Sequence, residues 1–89
     1  MNQPLAMQEF LEFVLGHLID YPEEMVLTVT EANKKTIFKL RLRQSDIGKV
    51  VGKQGHTILA LRNILNAASA RFGEKAVLEI IEEGRPAEG

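Results

Sequence analysis

Cysteine and tryptophan are absent from the chain, and tyrosine occurs once. Without cysteine there is no disulfide framework and no thiolate metal site, and a reducing cytoplasm is the expected setting. Two histidines, His17 and His56, stand far apart and without a Glu-x-x-His pair, so no metal centre is expected. No nucleophile–base constellation is evident either, which argues against an enzyme and leaves no catalytic residue or cofactor to assign. Long apolar runs are missing too. The apolar stretch near the N-terminus is broken by Glu9, Glu12 and His17, with no basic segment before it. It is expected to be neither a signal peptide nor a membrane span.

Eighty-nine residues suffice for one domain with one modest core. The net charge of −1 conceals three blocks. Met1 to Glu31 holds six acids and no Lys or Arg; Ala32 to Lys75 holds ten Lys/Arg against two acids; Ala76 to Gly89 holds four acids and one Arg. A central block at +8 between acidic flanks sustains a local positive field in a nearly neutral protein, although a mixed solvated surface is the equally ordinary reading.

Hydrophobic periodicity predicts the element order. After Pro4, the residues Met7, Phe10, Leu11, Val14 and Leu18 recur at helical spacing, and Asp20-Tyr21-Pro22 ends the helix. Met25, Leu27 and Val29 then alternate with Val26, Thr28 and Thr30. Past a polar turn at Ala32-Asn33-Lys34-Lys35, Phe38, Leu40 and Leu42 alternate with Ile37, Lys39, Arg41 and Arg43. This is a hairpin with one apolar face and a basic second strand on the other. Ser45 or Asp46 is expected to cap a short helix ending at Lys49 or Val50. A second helix starts near His56 with a stripe of Ile58, Leu61, Leu65, Ala68 and Phe72, and Gly73 is placed to end it. A last strand runs from Ala76 to Ile81. The expected fold is α+β, in the order helix-strand-strand-helix-helix-strand. A three-stranded mixed sheet carries three helices on one face, the two-helix crossover making the last two strands parallel. Residues 1–83 form the domain and 84–89 a flexible tail.

The chemistry concentrates in Ile47-Gly48-Lys49-Val50-Val51-Gly52-Lys53-Gln54-Gly55-His56-Thr57-Ile58. Gly52 and Gly55 permit a sharp turn and close approach of a ligand. The following helix start favours phosphate, and Lys49 and Lys53 add charge. A Walker loop is excluded because three residues, not four, separate Gly48 from Gly52-Lys53, and Gln54 follows. A dinucleotide fingerprint is excluded because Gly48-Lys49-Val50 lacks the leading Gly-x-Gly. The plain alternative is a glycine-rich joint between two helices.

The pattern Ile-Gly-x-x-Val-Gly-x-x-Gly-x-x-Ile resembles the signature of KH domains, and the element order is similar to their type II arrangement. Nearly the whole chain resembles the small bacterial stand-alone KH proteins. The chain departs from them at His56, where a basic residue is usual, and at Leu59. The resemblance implies that Gly52, Lys53, Gln54 and Gly55 hold the backbone of about four nucleotides of single-stranded RNA. Gly48, Lys49 and His56 stand beside them. Ile47, Val50, Val51, Ile58, Leu59 and Ile80 are candidates for an apolar floor under the bases, with core packing the alternative for Ile47, Val51 and Ile58. Arg62 and Asn63 could instead be solvated. The groove contains no aromatic residue, so stacking is not available to it. The resemblance also implies roles in post-transcriptional regulation, including RNA-chaperone activity, and pairing with a second copy or with a larger KH-containing protein. Phe13, Ile19, Val77 and Ile81, off the expected apolar faces, are candidates for such an interface. A KH-fold interaction module with little RNA affinity of its own is the alternative function. Lys39, Arg41 and Arg43 read as a solvated stripe, an extension of an RNA track or a site for an acidic partner.

Overall fold

The computed structural model of the chain describes residues 3–82, so the expected tail at 84–89 lies outside the described residues. Helix α1 spans Gln3–Leu18, strands β1 and β2 span Val26–Ala32 and Lys35–Leu42, helices α2 and α3 span Gln44–Val51 and His56–Ala70, and strand β3 spans Lys75–Glu82. Short 3-10 turns occupy Pro22–Glu24 and Lys53–Gly55. The sheet order is β1-β2-β3, with β1 antiparallel and β3 parallel to the central β2. This is the expected α+β order, with both predicted strand relations.

The hairpin turns on two residues, Asn33 and Lys34, both at positive φ (43° and 62°). Such a turn matches the twist of the strands it joins. Its register sets Leu27 opposite Leu40 and Val29 opposite Phe38, while Phe38 and Leu40 neighbour Leu78 and Ile80 of β3. One face of β2, Phe38, Leu40 and Leu42, is thereby fully buried under the helices, and the other face, Lys39 and Arg41, is exposed.

Three expectations about the core need correction. In α1 the deepest line is Met7, Leu11, Leu15 and Ile19, with Phe10, Val14 and Leu18 half-buried at its margin. Ile19, expected at an interface, is core, because the chain leaves the helix there and turns back over the sheet. Phe72 is 61% exposed. Helix α3 has already ended, and Glu74 N–H bonds Ser69 O while Gly73 N–H bonds Ala70 O around Gly73 at φ 70°. That paired bonding is a Schellman closure, and it swings Phe72 off the stripe. Third, neither Ser45 nor Asp46 caps α2. Arg43 occupies the cap position without a side-chain bond, and the fully buried Asp46 carboxylate instead accepts the backbone N–H groups of Asp20 (3.1 Å) and Tyr21 (3.0 Å).

That carboxylate belongs to a clamp. Lys49 pairs with Asp20 at 3.2 Å, and Arg43 pairs with Glu24 at 3.0 Å while its guanidinium lies 4.0 Å from the Tyr21 ring centre. The turn after α1 is thus fastened to α2. Arg43 consequently leaves the basic stripe of β2 that its alternation predicted.

Candidate nucleic-acid interface

Helix α2 ends at Gly52, where φ 81° and ψ 174° reverse the chain. A side chain there is excluded twice. The φ is left-handed, and a Cβ would stand 2.6 Å from Thr57 Cβ and 2.8 Å from Thr57 N. At Gly55 the φ is 77° but a Cβ would meet nothing within 4 Å. Gly52 is therefore needed for packing the loop, whereas Gly55 keeps an open surface at the start of α3. Between them Lys53 and Gln54 are exposed, and Gln54 itself adopts a left-handed conformation (φ 57°, ψ 24°) that pushes the apex outward.

The amide directions refine the sequence reading. Gly52, Gly55 and His56 spend their N–H groups inside the loop, on Gly48 O, Gly52 O and Lys53 O. Among the described residues no partner is found for the amides of Lys53 and Gln54. The donors available to an anion are thus those of the loop apex, next to the Lys53 ammonium and the Gln54 amide. His56, the first residue of α3, is exposed beside them. Lys49 is exposed but held by Asp20, so its charge is partly offset.

Below the loop, α2 presents Ile47, Gly48 and Val51 on one side, Gly48 exposed and the other two half-buried at the core margin. Leu59 on α3 is 54% exposed, and Ile80 on β3 is half-buried. Val50 and Ile58 have a different place. Both are buried, Val50 completely, so they support the floor from within the core and do not line it. Their expected part in contacting bases is corrected accordingly: successive helical residues are turned about 100° apart, so Val50 and Ile58 face inward beside Val51 and Leu59.

The outer edge of β3 completes the site. Arg62 Nε and Nη2 both donate to Leu78 O, at 3.2 and 3.0 Å, and Asn66 Oδ1 lies 3.5 Å from Ala76 N. Leu59, Arg62 and Asn66 share one face of α3 at helical spacing, and alternate strand residues turn their backbone groups to the same edge. A helix rising about 6 Å in four residues keeps pace with two strand residues. The next step of this ladder therefore sets Leu59 toward Ile80. A leucine offers that edge no hydrogen bond, and none is found for Ile80 there among the described residues. Open backbone groups at an apolar patch suit a planar, hydrogen-bonding ligand. The sequence left a solvated helix surface as one alternative for Arg62; the 59–62–66 spacing was the signal available for its edge role. Two concavities elsewhere on the surface, one of about 190 Å³ by the hairpin and one of about 290 Å³ between α1 and α3, do not include the loop. An open track fits an extended polymer better than an enclosed small molecule.

The profile of the KhpA/KhpB KH-domain family matches residues 8–80. The chain belongs to this family. It is a family of KH-type binding domains, not of enzymes. Relatives named RNA-binding protein KhpA are similar over nearly their whole lengths. One from Chlamydia trachomatis is 40% identical over 77 residues, which is 86% of this chain and 99% of that relative. One from Borreliella burgdorferi is 39% identical over 74 residues, 83% of this chain and 90% of the relative. One from Aquifex aeolicus is 36% identical over 77 residues, 86% and 98% of the two chains. The KhpA/KhpB match spans α2, the Gly52–Gly55 loop, α3 and β3 up to Ile80, so every candidate RNA-contacting residue lies inside it. Among the described residues no helix is long and apolar enough to cross a membrane, and no group of three metal-ligating side chains occurs.

Proposed function

We propose that the protein binds single-stranded RNA, holding about four nucleotides through the Gly52-Lys53-Gln54-Gly55 loop and the adjoining track to Ile80. The observation that carries this reading is the loop apex. Lys53 and Gln54, both exposed, carry two backbone amides without a partner among the described residues, an ammonium and a side-chain amide, next to an open Gly55. A phosphate accepts from such donors without needing a base identity. Ile47, Val51 and Leu59 then offer an apolar surface to bases turned inward, and the Ile80 edge offers one donor and one acceptor. Gly48 lets a strand lie close to α2, and His56 is exposed beside the loop. With no aromatic to stack on, affinity is modest and base preference loose. The relatives' common description as RNA-binding proteins supports the same conclusion.

The setting that fits is the bacterial cytoplasm, with a part in post-transcriptional regulation, including RNA-chaperone activity. Pairing with a second copy, or with a larger KH-containing protein, is the second element of the proposal. It is favoured by Phe13, which is 68% exposed, its ring centre 4.6 Å from that of its own helix neighbour His17.

Titration of the 15N-labelled protein with a single-stranded tetranucleotide tests the site. Shifts are expected to cluster at Lys53, Gln54, His56, Ile47, Val51, Leu59 and Ile80. Shifts confined to α1, or none at saturating RNA, would refute it and leave a KH-fold interaction module.

A further inference from the structure

All three helices lie on one side of the sheet, and no element of the described residues covers the other. Strand register arranges that uncovered face in four rows: Ala32–Lys35–Lys75, Thr30–Ile37–Val77, Thr28–Lys39–Glu79 and Val26–Arg41–Ile81. Rows lie about 7 Å apart and strands about 5 Å apart. The cations therefore extend roughly 20 Å, from the Lys35/Lys75 pair to Arg41. Four basic residues stand against one acid, Glu79, on this face among the described residues. Lys35 and Lys75 are register neighbours, a like-charge placement that costs stability in a sheet. Lys39 has Glu79 beside it in register, yet no ion pair joins them. Solvation alone needs neither arrangement, since alternating signs keep a face equally soluble.

We propose that the uncovered sheet face is a second RNA surface, binding the phosphates of the same strand after it leaves the loop and track; this rests on the function proposed above. Strand β3 joins the two sites, because its outer edge borders the track at Ile80 while its outward side chains, Lys75 among them, belong to the face. Charge complementarity selects a polyanion, and the opposite side of the molecule, α1 and the turn after it, is acidic. The face carries no aromatic side chain to stack a base, but exposed Thr28 and Thr30 supply hydroxyls. Contacts here are therefore to phosphate and sugar and carry no sequence information. The consequence is a dependence on RNA length. A tetranucleotide occupies the loop and track alone, and a longer strand gains the sheet face at high effective concentration.

Anisotropy titrations of labelled oligouridines of four and twelve nucleotides, across a salt series, test this on the full chain. Wild type is expected to bind the dodecamer with a log–log salt slope steeper than that of the tetramer by about 1.4, two phosphates at about 0.7 each. Lys39→Gln/Lys75→Gln should remove that difference while leaving tetramer binding within about twofold, and Lys39→Arg/Lys75→Arg should restore it. Equal slopes for both lengths in wild type, or a Gln/Gln variant that binds the dodecamer unchanged, would overturn the proposal. Lys53→Asp/Gln54→Asp run in parallel keeps the two claims apart. Loss of tetramer binding there, with an inert Gln/Gln variant, retains the loop site and eliminates the sheet surface.

Discussion

Lys34 adopts φ 62° next to Asn33 at 43° in the two-residue hairpin turn. Asparagine tolerates that region, but a lysine Cβ there crowds the backbone by roughly 1–2 kcal/mol. Glycine would relieve the crowding and lose part of the gain to a more flexible unfolded chain. Lys34→Gly is therefore expected to stabilise the fold by about 0.5–1 kcal/mol, read as a higher urea midpoint at unchanged m-value. At this scale the sequence was informative where backbone and residue type agree. Gly52 and Gly55 could be singled out because a residue without a Cβ takes a sharp turn at no steric cost, and both stand at positive φ. The turn at Asn33-Lys34 was located as a polar break, but its left-handed Lys34 and the left-handed Gln54 were not legible. In both, tertiary closure overrides the preference of the side chain.

Asp46 marks the limit of reading at the element scale. Its place near the start of α2 suggested a local cap, but its carboxylate reaches segments 25 and 26 residues earlier. Nothing in local spacing encodes such a contact. Its effect is to anchor the helix that delivers the Gly52–Gly55 loop. Asp46→Ala leaves two backbone N–H groups without their charged acceptor, and a loss of about 2–4 kcal/mol is expected from the value of such bonds. Chemical denaturation checks it; a loss under about 0.5 kcal/mol would show that solvent replaces the carboxylate. The strands fared better. Period-two alternation placed Phe38, Leu40 and Leu42 in the core, and the two-helix crossover implied the parallel pairing of β2 and β3. Helix stripes were read to within one turn. Leu15 and Ile19 deepen the α1 stripe, and Phe72 falls past the end of α3, because where a helix stops decides which side its last residue faces.

Across the whole molecule, the apolar margin of α1 continues past Phe10 to Phe13, which lies about 20° from Ala6 on the helical wheel. Ala6, Met7, Phe10, Ile64, Leu65 and Ala68 line the cleft between α1 and α3, and Ile64 is itself half-exposed. That patch lies away from the loop and the uncovered sheet face, so pairing there and RNA binding are compatible. Sedimentation equilibrium is expected to show a dimer at micromolar concentration, weakened by Phe13→Ser without loss of thermal stability. A wild type still monomeric at about 100 μM would rule it out. The architecture as a whole was legible because pattern, crossover and loop signature agree. The site was legible only in part, since the β3 edge and its Arg62 contact are made by tertiary structure.

The central claim is that the loop apex holds RNA, and Lys53→Asp/Gln54→Asp tests it most directly. Both residues are exposed, so the melting temperature should stay within a few degrees of wild type. Filter binding to single-stranded RNA should then weaken by about tenfold or more, as two carboxylates replace the donors facing phosphate. A folded double variant with wild-type affinity would contradict the claim.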